Sequence, residues 1–348
     1  MSPIGRASLV AALLLAGCGR GGDEGQVVID ALSQPRGLSV NETTLCIAEA
    51  GAIGPDGPAR QRSGQLEADT GRILCVPLAG GEAVVMMESL PFVYYPDAAV
   101  TSGATDVISD GDDLYILVGE SYGELSRSVV GFDGNESRVL VDLLDFAQAQ
   151  TPPNGGVRSN PYSFVVAPDG EGFYITDAAS GTVLWGDLEG RVETFATVPG
   201  HEVLTGITWG PDGDLYVASF GQLPHPHGSG AVVAVDAEGT HRVVVDGLTM
   251  VIDVGFDAAG GLLILEYSAP PTDPSGTDAY RDDTGRLTYV PPDGVSSTRR
   301  VLLDDLNRPT ALAVRSGDVF ISVSGGERAH AEGSVQRYAL AALLKEGR

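Results

Sequence analysis

The chain is almost without lysine. Of its 348 residues only Lys345, near the C-terminus, is one. Schiff-base chemistry on a buried lysine therefore has no residue to carry it. Basic residues are few altogether: 21 Lys plus Arg stand against 47 Asp plus Glu, a net charge of −26. Such a chain repels polyanions, which argues against nucleic acid and against anionic lipid as partners. Cations and cationic partners stay open. The simplest role for the acidic side chains is to keep an exported β-protein soluble and its strand edges unpaired. Long amphipathic helical patterns are also missing. LLDFAQAQ from Leu143 and ALAALLKEGR at the end allow two short peripheral helices.

What the chain does have is one phrase in six copies. The clearest is LTGITWGPDGDLYVASF from Leu204. It reads as an apolar strand, a Pro-Asp-Gly turn and a second apolar strand. The others are RGLSVNETTLCIAEA from Arg36, TDVISDGDDLYILVGE from Thr105, YSFVVAPDGEGFYITDA from Tyr162, IDVGFDAAGGLLILEYS from Ile252 and TALAVRSGDVFISVSG from Thr310. Third strands such as GAVVAV from Gly230 and fourth strands such as HRVVVDGL from His241 follow. Four short strands at a period of about 40 to 50 residues are the signature of propeller blades. The fold class expected is all-β, a six-bladed β-propeller. The 47 glycines and 21 prolines suit its many tight turns.

The last copy lacks a fourth strand, because GSVQRYAL from Gly333 is only a third. QVVIDAL from Gln26 precedes the first copy and resembles the fourth strand HRVVVDGL. The expected closure places this N-terminal strand on the outer edge of the last blade, which leaves no edge exposed.

Residues 1–17 carry one positive charge, Arg6, and a short apolar run, Ala7 to Leu15, too short to span a membrane as a mature helix. Leu15-Ala16-Gly17-Cys18 follows and resembles a bacterial lipobox. The resemblance implies that Cys18 is acylated and becomes the first mature residue. The expected organisation is a lipoprotein signal peptide over 1–17, a lipidated cysteine and tether over 18–25, and a single propeller over 26–348. No Asp follows Cys18, which implies sorting to the periplasmic face of the outer membrane or the cell surface. The other two of the three cysteines, Cys46 and Cys75, fall in the second and third strands of blade 1. Two outcomes stand: a cross-strand disulfide, which export permits, or two buried free thiols in another register.

Several motifs carry little. Gly119-Glu120-Ser121-Tyr122-Gly123 matches a nucleophile elbow, but ELSRSVVGF follows where a helix is required. Pro-Asp-Gly and Asp110-Gly111-Asp112-Asp113 lack the pattern of a calcium loop and read as turns. His225 and His227 form an H-x-H pair in GQLPHPHGSG with no further zinc ligands beside them, so the expectation is an exposed loop.

The candidate site comes from propeller geometry. Starts of first strands and ends of second strands converge on one mouth. Reading them off gives Arg36, Asp106, Asn160, Tyr162 and Asp253 from the starts, and Glu49, Glu120, Asp177 and Glu266 from the ends. Carboxylates gathered there would raise one another's pKa or take up a cation. Asp106 and Asp253 are the candidate metal ligands, with a divalent cation such as calcium as the candidate cofactor. For each residue alone, capping of loop N–H groups or pairing with Arg36 is the competing role.

The run DLLDFAQAQTPPNGGVRSNPYSFVVAPDGEGFYITDA, together with FGQLPHPHGSG, TMVIDVGF and LEYS, resembles the ScyD/ScyE family of exported six-bladed propellers. Asn160-Pro-Tyr and Ile252-Asp-Val are its most specific pieces, and the resemblance covers nearly the whole mature chain. The chain is more broadly similar to NHL-repeat and gluconolactonase-type propellers. Resemblance to the lactonases implies metal ligands just before the first-strand glycine. Those positions hold Arg36, Thr105, Tyr162, Thr205, Ile252 and Thr310, none a carboxylate or amide. The function expected is thus a lipid-anchored monomer that binds a small ligand, a cation or a protein partner at an acidic mouth. It meets the membrane only through its anchor. The alternative is a metal-dependent hydrolase or an oxidative biosynthetic enzyme using the same mouth.

Overall fold

Apolar residues occur on both faces of the second strand of each copy. Such a strand must be covered on both sides, and stacking the sheets in a ring does this. The computed structural model describes residues 25–54, 60–111, 113–152, 155–269, 281–292, 298–324 and 332–346. Residues 1–24, with Cys18 and most of the tether, lie outside the described residues.

In chain order, β1 (Gln26–Ser33) comes first. Blade 1 holds β2 (Pro35–Val40), β3 (Thr44–Glu49), β4 (Arg60–Arg62), β5 (Gln65–Pro77), β6 (Val84–Tyr95) and β7 (Val100–Ser102). Blade 2 holds β8 (Ala104–Asp110), β9 (Asp113–Val118), β10 (Ser128–Phe132) and β11 (Ser137–Asp142), followed by the helix α1 (Leu143–Gln150). Blade 3 is β12 (Pro161–Val166), β13 (Gly172–Asp177), β14 (Thr182–Asp187) and β15 (Val192–Thr197). Blade 4 is β16 (Leu204–Trp209), β17 (Leu215–Ser219), β18 (Gly230–Val235) and β19 (His241–Leu248). Blade 5 is β20 (Val251–Phe256), β21 (Leu262–Glu266), β22 (Gly285–Val290) and β23 (Arg300–Leu306). Blade 6 adds β24 (Ala311–Arg315), β25 (Asp318–Val323) and β26 (Glu332–Ala339), with the helix α2 (Leu340–Glu346) after them.

The molecule is a six-bladed β-propeller. The sheet order β1-β26-β25-β24 closes blade 6 with the N-terminal strand. Its partners include Val27 opposite Gln336, Ile29 opposite Val335 and Leu32 opposite Gly333. Blade 1 is larger than the repeat suggests. The long strands β5 and β6 run past the others, and β4 and β7 pair with their extensions.

One apolar cluster fills each junction between neighbouring blades. Leu45 and Ile47 face blade 6 and pack with Ile29, Leu32 and Phe320. Their strand neighbours Cys46 and Ala48 face the other way and pack with Val107 and Ile116 of blade 2. Period-two alternation thus sends successive side chains into two different cores. Within the second of these cores Cys46 stands opposite Cys75 across β3 and β5, and the two are joined by a disulfide. α1 starts at Asp142, whose carboxylate accepts from the Asp145 N–H at 3.0 Å.

Candidate functional site

The six inner strands surround a channel of about 440 Å³. At the turn end its wall is apolar, bordered by Val40, Val166, Trp209, Phe256 and Val314. Nearer the strand starts it is polar, and there Asp106, Tyr162 and Asp253 border it. Blades 2 and 5 lie opposite each other in a ring of six, so the two aspartates stand on opposing walls.

Both aspartates sit where the pairing of first and second strands breaks register. The breaks fall between Ala104 and Asp106 and between Val251 and Asp253. The inner strands of blades 1, 3 and 4 break at the same level. A bulge there turns the side chain away from the ladder and towards the neighbouring blade. Asp106 Oδ1 accepts from the Val107 N–H at 2.8 Å. Its Oδ2 accepts from Ser163 Oγ at 2.7 Å and the Phe164 N–H at 3.3 Å, both in blade 3. Asp253 repeats the pattern three blades on. Its Oδ1 accepts from the Val254 N–H and its Oδ2 from the Leu312 N–H of blade 6, each at 2.8 Å.

On the other side each aspartate lies over a glycine of the preceding blade. A Cβ built on Gly37 would stand 2.0 Å from Asp106 Oδ1, and one on Gly206 would stand 2.1 Å from Asp253 Oδ1. Neither position has room for any side chain. The equivalent position of the six inner strands runs Gly37, Asp106, Ser163, Gly206, Asp253, Ala311. This is glycine, aspartate, small, repeated every three blades. Each aspartate therefore bonds its own blade to the next and packs against the glycine of the one before.

The surroundings shift both groups. Burial is the largest cause and pushes Asp106 up to about 7, against the pull of its hydrogen bonds. Asp253 is pushed up to about 8, again chiefly by burial, and the charge of Asp106 adds to it. Desolvation thus outweighs the mutual repulsion expected from sequence. Both side chains touch the channel and so keep some accessible surface, but the mass of protein around them sets the effect. Tyr162 is pushed up to about 12 by burial, raised further by both aspartates and lowered by the Arg36 guanidinium. Tyr162 thus feels the charges of Arg36, Asp106 and Asp253. The Tyr162 hydroxyl is buried and makes no hydrogen bond. The Arg36 guanidinium approaches it, and both its charge and that side-chain contact lower the phenol's pKa, without closing a regular hydrogen bond. Arg36 is held instead by Thr101, through Nη2 to its hydroxyl at 2.9 Å and to its carbonyl at 3.3 Å.

The other five residues of the expected mouth do different work. Glu49 accepts from the Ser33 N–H and pairs with Arg72. Asp177 Oδ1 accepts from the N–H groups of Asn160, Ala179 and Ser180, each at 3.0 Å. Glu266 accepts from the Thr249 N–H at 2.8 Å. Burial raises its pKa, against the pull of that bond and of Arg286. Each of these three pins the backbone just before the first strand of its own blade. Glu120 joins a rim network: it pairs with Arg127 at 3.0 Å and accepts from the Tyr95 hydroxyl at 3.1 Å, while the Asn160 carboxamide accepts from the Glu120 N–H at 3.3 Å. Of the nine candidates, Asp106, Tyr162 and Asp253 line the channel. Arg36 stands beside Tyr162. The remaining five are seams.

Among the described residues no three His, Cys, Asp or Glu side chains gather as a metal-binding group. The divalent-ion expectation on Asp106 and Asp253 thus meets two carboxylates whose four oxygens already accept N–H or O–H donors, where calcium takes six to eight oxygen ligands. His227 is exposed, but His225 departs from the expected exposed loop. It is buried, packs edge-on against Phe220 and has Nδ1 2.8 Å from the Gly221 carbonyl. Sequence reasoning missed Gly37 and Gly206 as partners of the aspartates. Their signal was the three-blade period, visible once the copies are aligned on Gly37, Asp106, Ser163, Gly206, Asp253 and Ala311.

No protein-family model matches the chain, and no curated protein does either. Solved structures do. A gluconolactonase from Xanthomonas campestris is 14% identical with a TM-score of 0.54, covering 97% of this chain and 99% of that one. A Bacteroides thetaiotaomicron protein of unknown function is 8% identical with a TM-score of 0.56, covering 91% and 73%. A chain of a nidogen/laminin complex is 15% identical with a TM-score of 0.51, covering 75% and 85%. These likenesses place the chain in a broad group of propellers that includes gluconolactonase-like members. At such identities they show the fold.

Proposed function

We propose that this protein is an exported, lipid-anchored binding module that takes a small cationic ligand into its central channel. The observation that supports this most is the opposed pair Asp106 and Asp253, with the buried Tyr162 hydroxyl left without a partner beside them. Two desolvated carboxylates gain most from a guest that brings positive charge. An organic cation suits the site better than a divalent ion, because it needs few oxygen ligands and can rest its carbon body on the apolar turn end. The hydrolase alternative has fold-level likeness behind it, but no three-residue metal group among the described residues. The resemblance of Asn160-Pro-Tyr and Ile252-Asp-Val to ScyD/ScyE propellers supports a role outside the cytoplasm.

Thermal melting of the mature protein against small ions tests the channel. A ligand at a hundredfold excess over its Kd adds about 2.7 kcal/mol, or a few degrees for a domain of this size. The expected result is stabilisation by an organic ammonium ion that disappears in the Asp106→Asn, Asp253→Asn double variant. Silence from every cation removes the reading. Calcium stabilisation reversed by a chelator, together with lactone hydrolysis, moves it to the hydrolase.

Anchoring is tested separately at Cys18. A fatty-acid analogue fed to producing cells should label the wild type and leave Cys18→Ser unlabelled. Equal labelling of the two overturns the lipoprotein assignment.

A further inference from the structure

We infer that the ligand is a small amino-acid-type zwitterion, its ammonium group seated between Asp106 and Asp253 and its carboxylate on Arg36 and Tyr162. This rests on the channel-binding reading and narrows it to one chemical class.

An ionised carboxylate offers about four acceptor sites. Asp106 uses three, for Val107, Ser163 and Phe164. Asp253 uses two, for Val254 and Leu312. The acceptor sites left over face the channel from opposing walls. A primary ammonium carries three N–H donors on one nitrogen, enough to serve the acceptor sites left on both. A quaternary ammonium has no N–H to give, and a divalent ion asks for more oxygens than remain.

The anionic end of the ligand falls to Tyr162 and Arg36. Tyr162 keeps a buried hydroxyl with no partner, an arrangement that costs stability unless something fills it. Arg36, beside it, spends one nitrogen on Thr101 and has no carboxylate partner among the described residues, although the chain carries 47 Asp plus Glu. A guanidinium and a phenolic O–H side by side are two donors waiting for one anion. A plain amine would leave both donors empty and would meet the like charge of Arg36. A plain carboxylic acid would meet the two aspartates. A molecule with both groups satisfies each, and its carbon chain can lie towards Trp209 and Phe256.

Four six-carbon probes separate these cases: norleucine, 6-aminohexanoate, hexylamine and hexanoate. Binding to the mature protein is read by calorimetry. At least one zwitterion is expected to bind about tenfold or more tighter than hexylamine, the worth of a charge-assisted hydrogen bond, and hexanoate is expected not to bind. Tyr162→Phe removes a buried hydroxyl that closes no regular hydrogen bond, so its stability should equal or exceed that of the wild type while the zwitterion's advantage shrinks. Arg36→Gln should bring the zwitterion down to the level of hexylamine. Hexylamine matching both zwitterions, with binding lost in Asp253→Asn, overturns this inference and leaves the channel reading standing. No binding by any probe, with an organic cation still stabilising the protein through the aspartates, does the same. Hexanoate binding as tightly as the zwitterions overturns both.

Discussion

Removal of residues 26–32 is expected to abolish the native fold. β1 contributes Ile29 and Leu32, 6% and 2% exposed, to the core between blades 6 and 1. Burying two such side chains is worth about 3–6 kcal/mol. The ladder to β26 adds several hydrogen bonds at about 1 kcal/mol net each. The sum, on the order of 5–10 kcal/mol, is comparable to the whole stability of a domain. Loss of the strand also frees the edge of β26, whose apolar Val335 and Tyr338 then face an open edge, a template for aggregation. Purified truncated protein should therefore aggregate or show no cooperative melt. Two point variants make the result specific. Leu32→Ala should cost about 2–5 kcal/mol. Val27→Ala, on the same strand but 47% exposed, should cost under about 1 kcal/mol. Equal melting of the truncated and full mature chains would show that the ring holds without its closing strand.

That closing strand was legible because the last copy lacked a fourth strand and Gln26 to Leu32 had no other sheet to join. The blades were legible for a related reason. Each second strand feeds a different junction core from each of its faces, so apolar runs such as LYVAS and LLILE stand out between turns such as Pro211-Asp-Gly. The channel was less legible. Glu49, Asp177 and Glu266 occupy the positions that a mouth site requires, yet each turns to an N–H just ahead of its blade's first strand. Five of the six inner strands break register at this level, and a one-residue break decides which way a side chain points. Strand alternation read from sequence does not carry through such a break. The fit of Asp106 over Gly37 is a contact between copies rather than within one. Reading the copies one at a time hides it, and aligning them against one another exposes it.

The same two aspartates should make the protein less stable as pH rises from about 4 to about 8. In the unfolded chain each ionises at its ordinary value of 3.8, and in the folded ring Asp106 is held at about 7 and Asp253 at about 8. Below that ordinary value both states carry the protons and the pair costs nothing. Between it and the folded values the native state keeps protons that the unfolded state has released, so stability drains away with rising pH. Above about 8 both states are ionised and the loss is complete. Each tenfold change in proton affinity is worth about 1.4 kcal/mol. Channel water screens part of the effect, which leaves an expected loss on the order of 3–6 kcal/mol for the pair. The denaturation midpoint in urea should therefore fall between pH 5 and pH 9. The net charge of −26 steepens the same trend, so the wild-type slope alone does not assign it. Asp253→Asn does. At pH 5 the variant should be weaker than wild type, because the amide nitrogen must face the Val254 or Leu312 N–H, donor against donor. At pH 9 wild type bears an ionised, desolvated Asp253 that the variant lacks, so the gap should close or invert. Curves that run parallel from pH 5 to pH 9 would show that Asp253 ionises in the folded ring as it does in water, and that the channel does not desolvate it. A saturating primary ammonium ligand should flatten the wild-type curve alone, because it stabilises the ionised pair that rising pH creates.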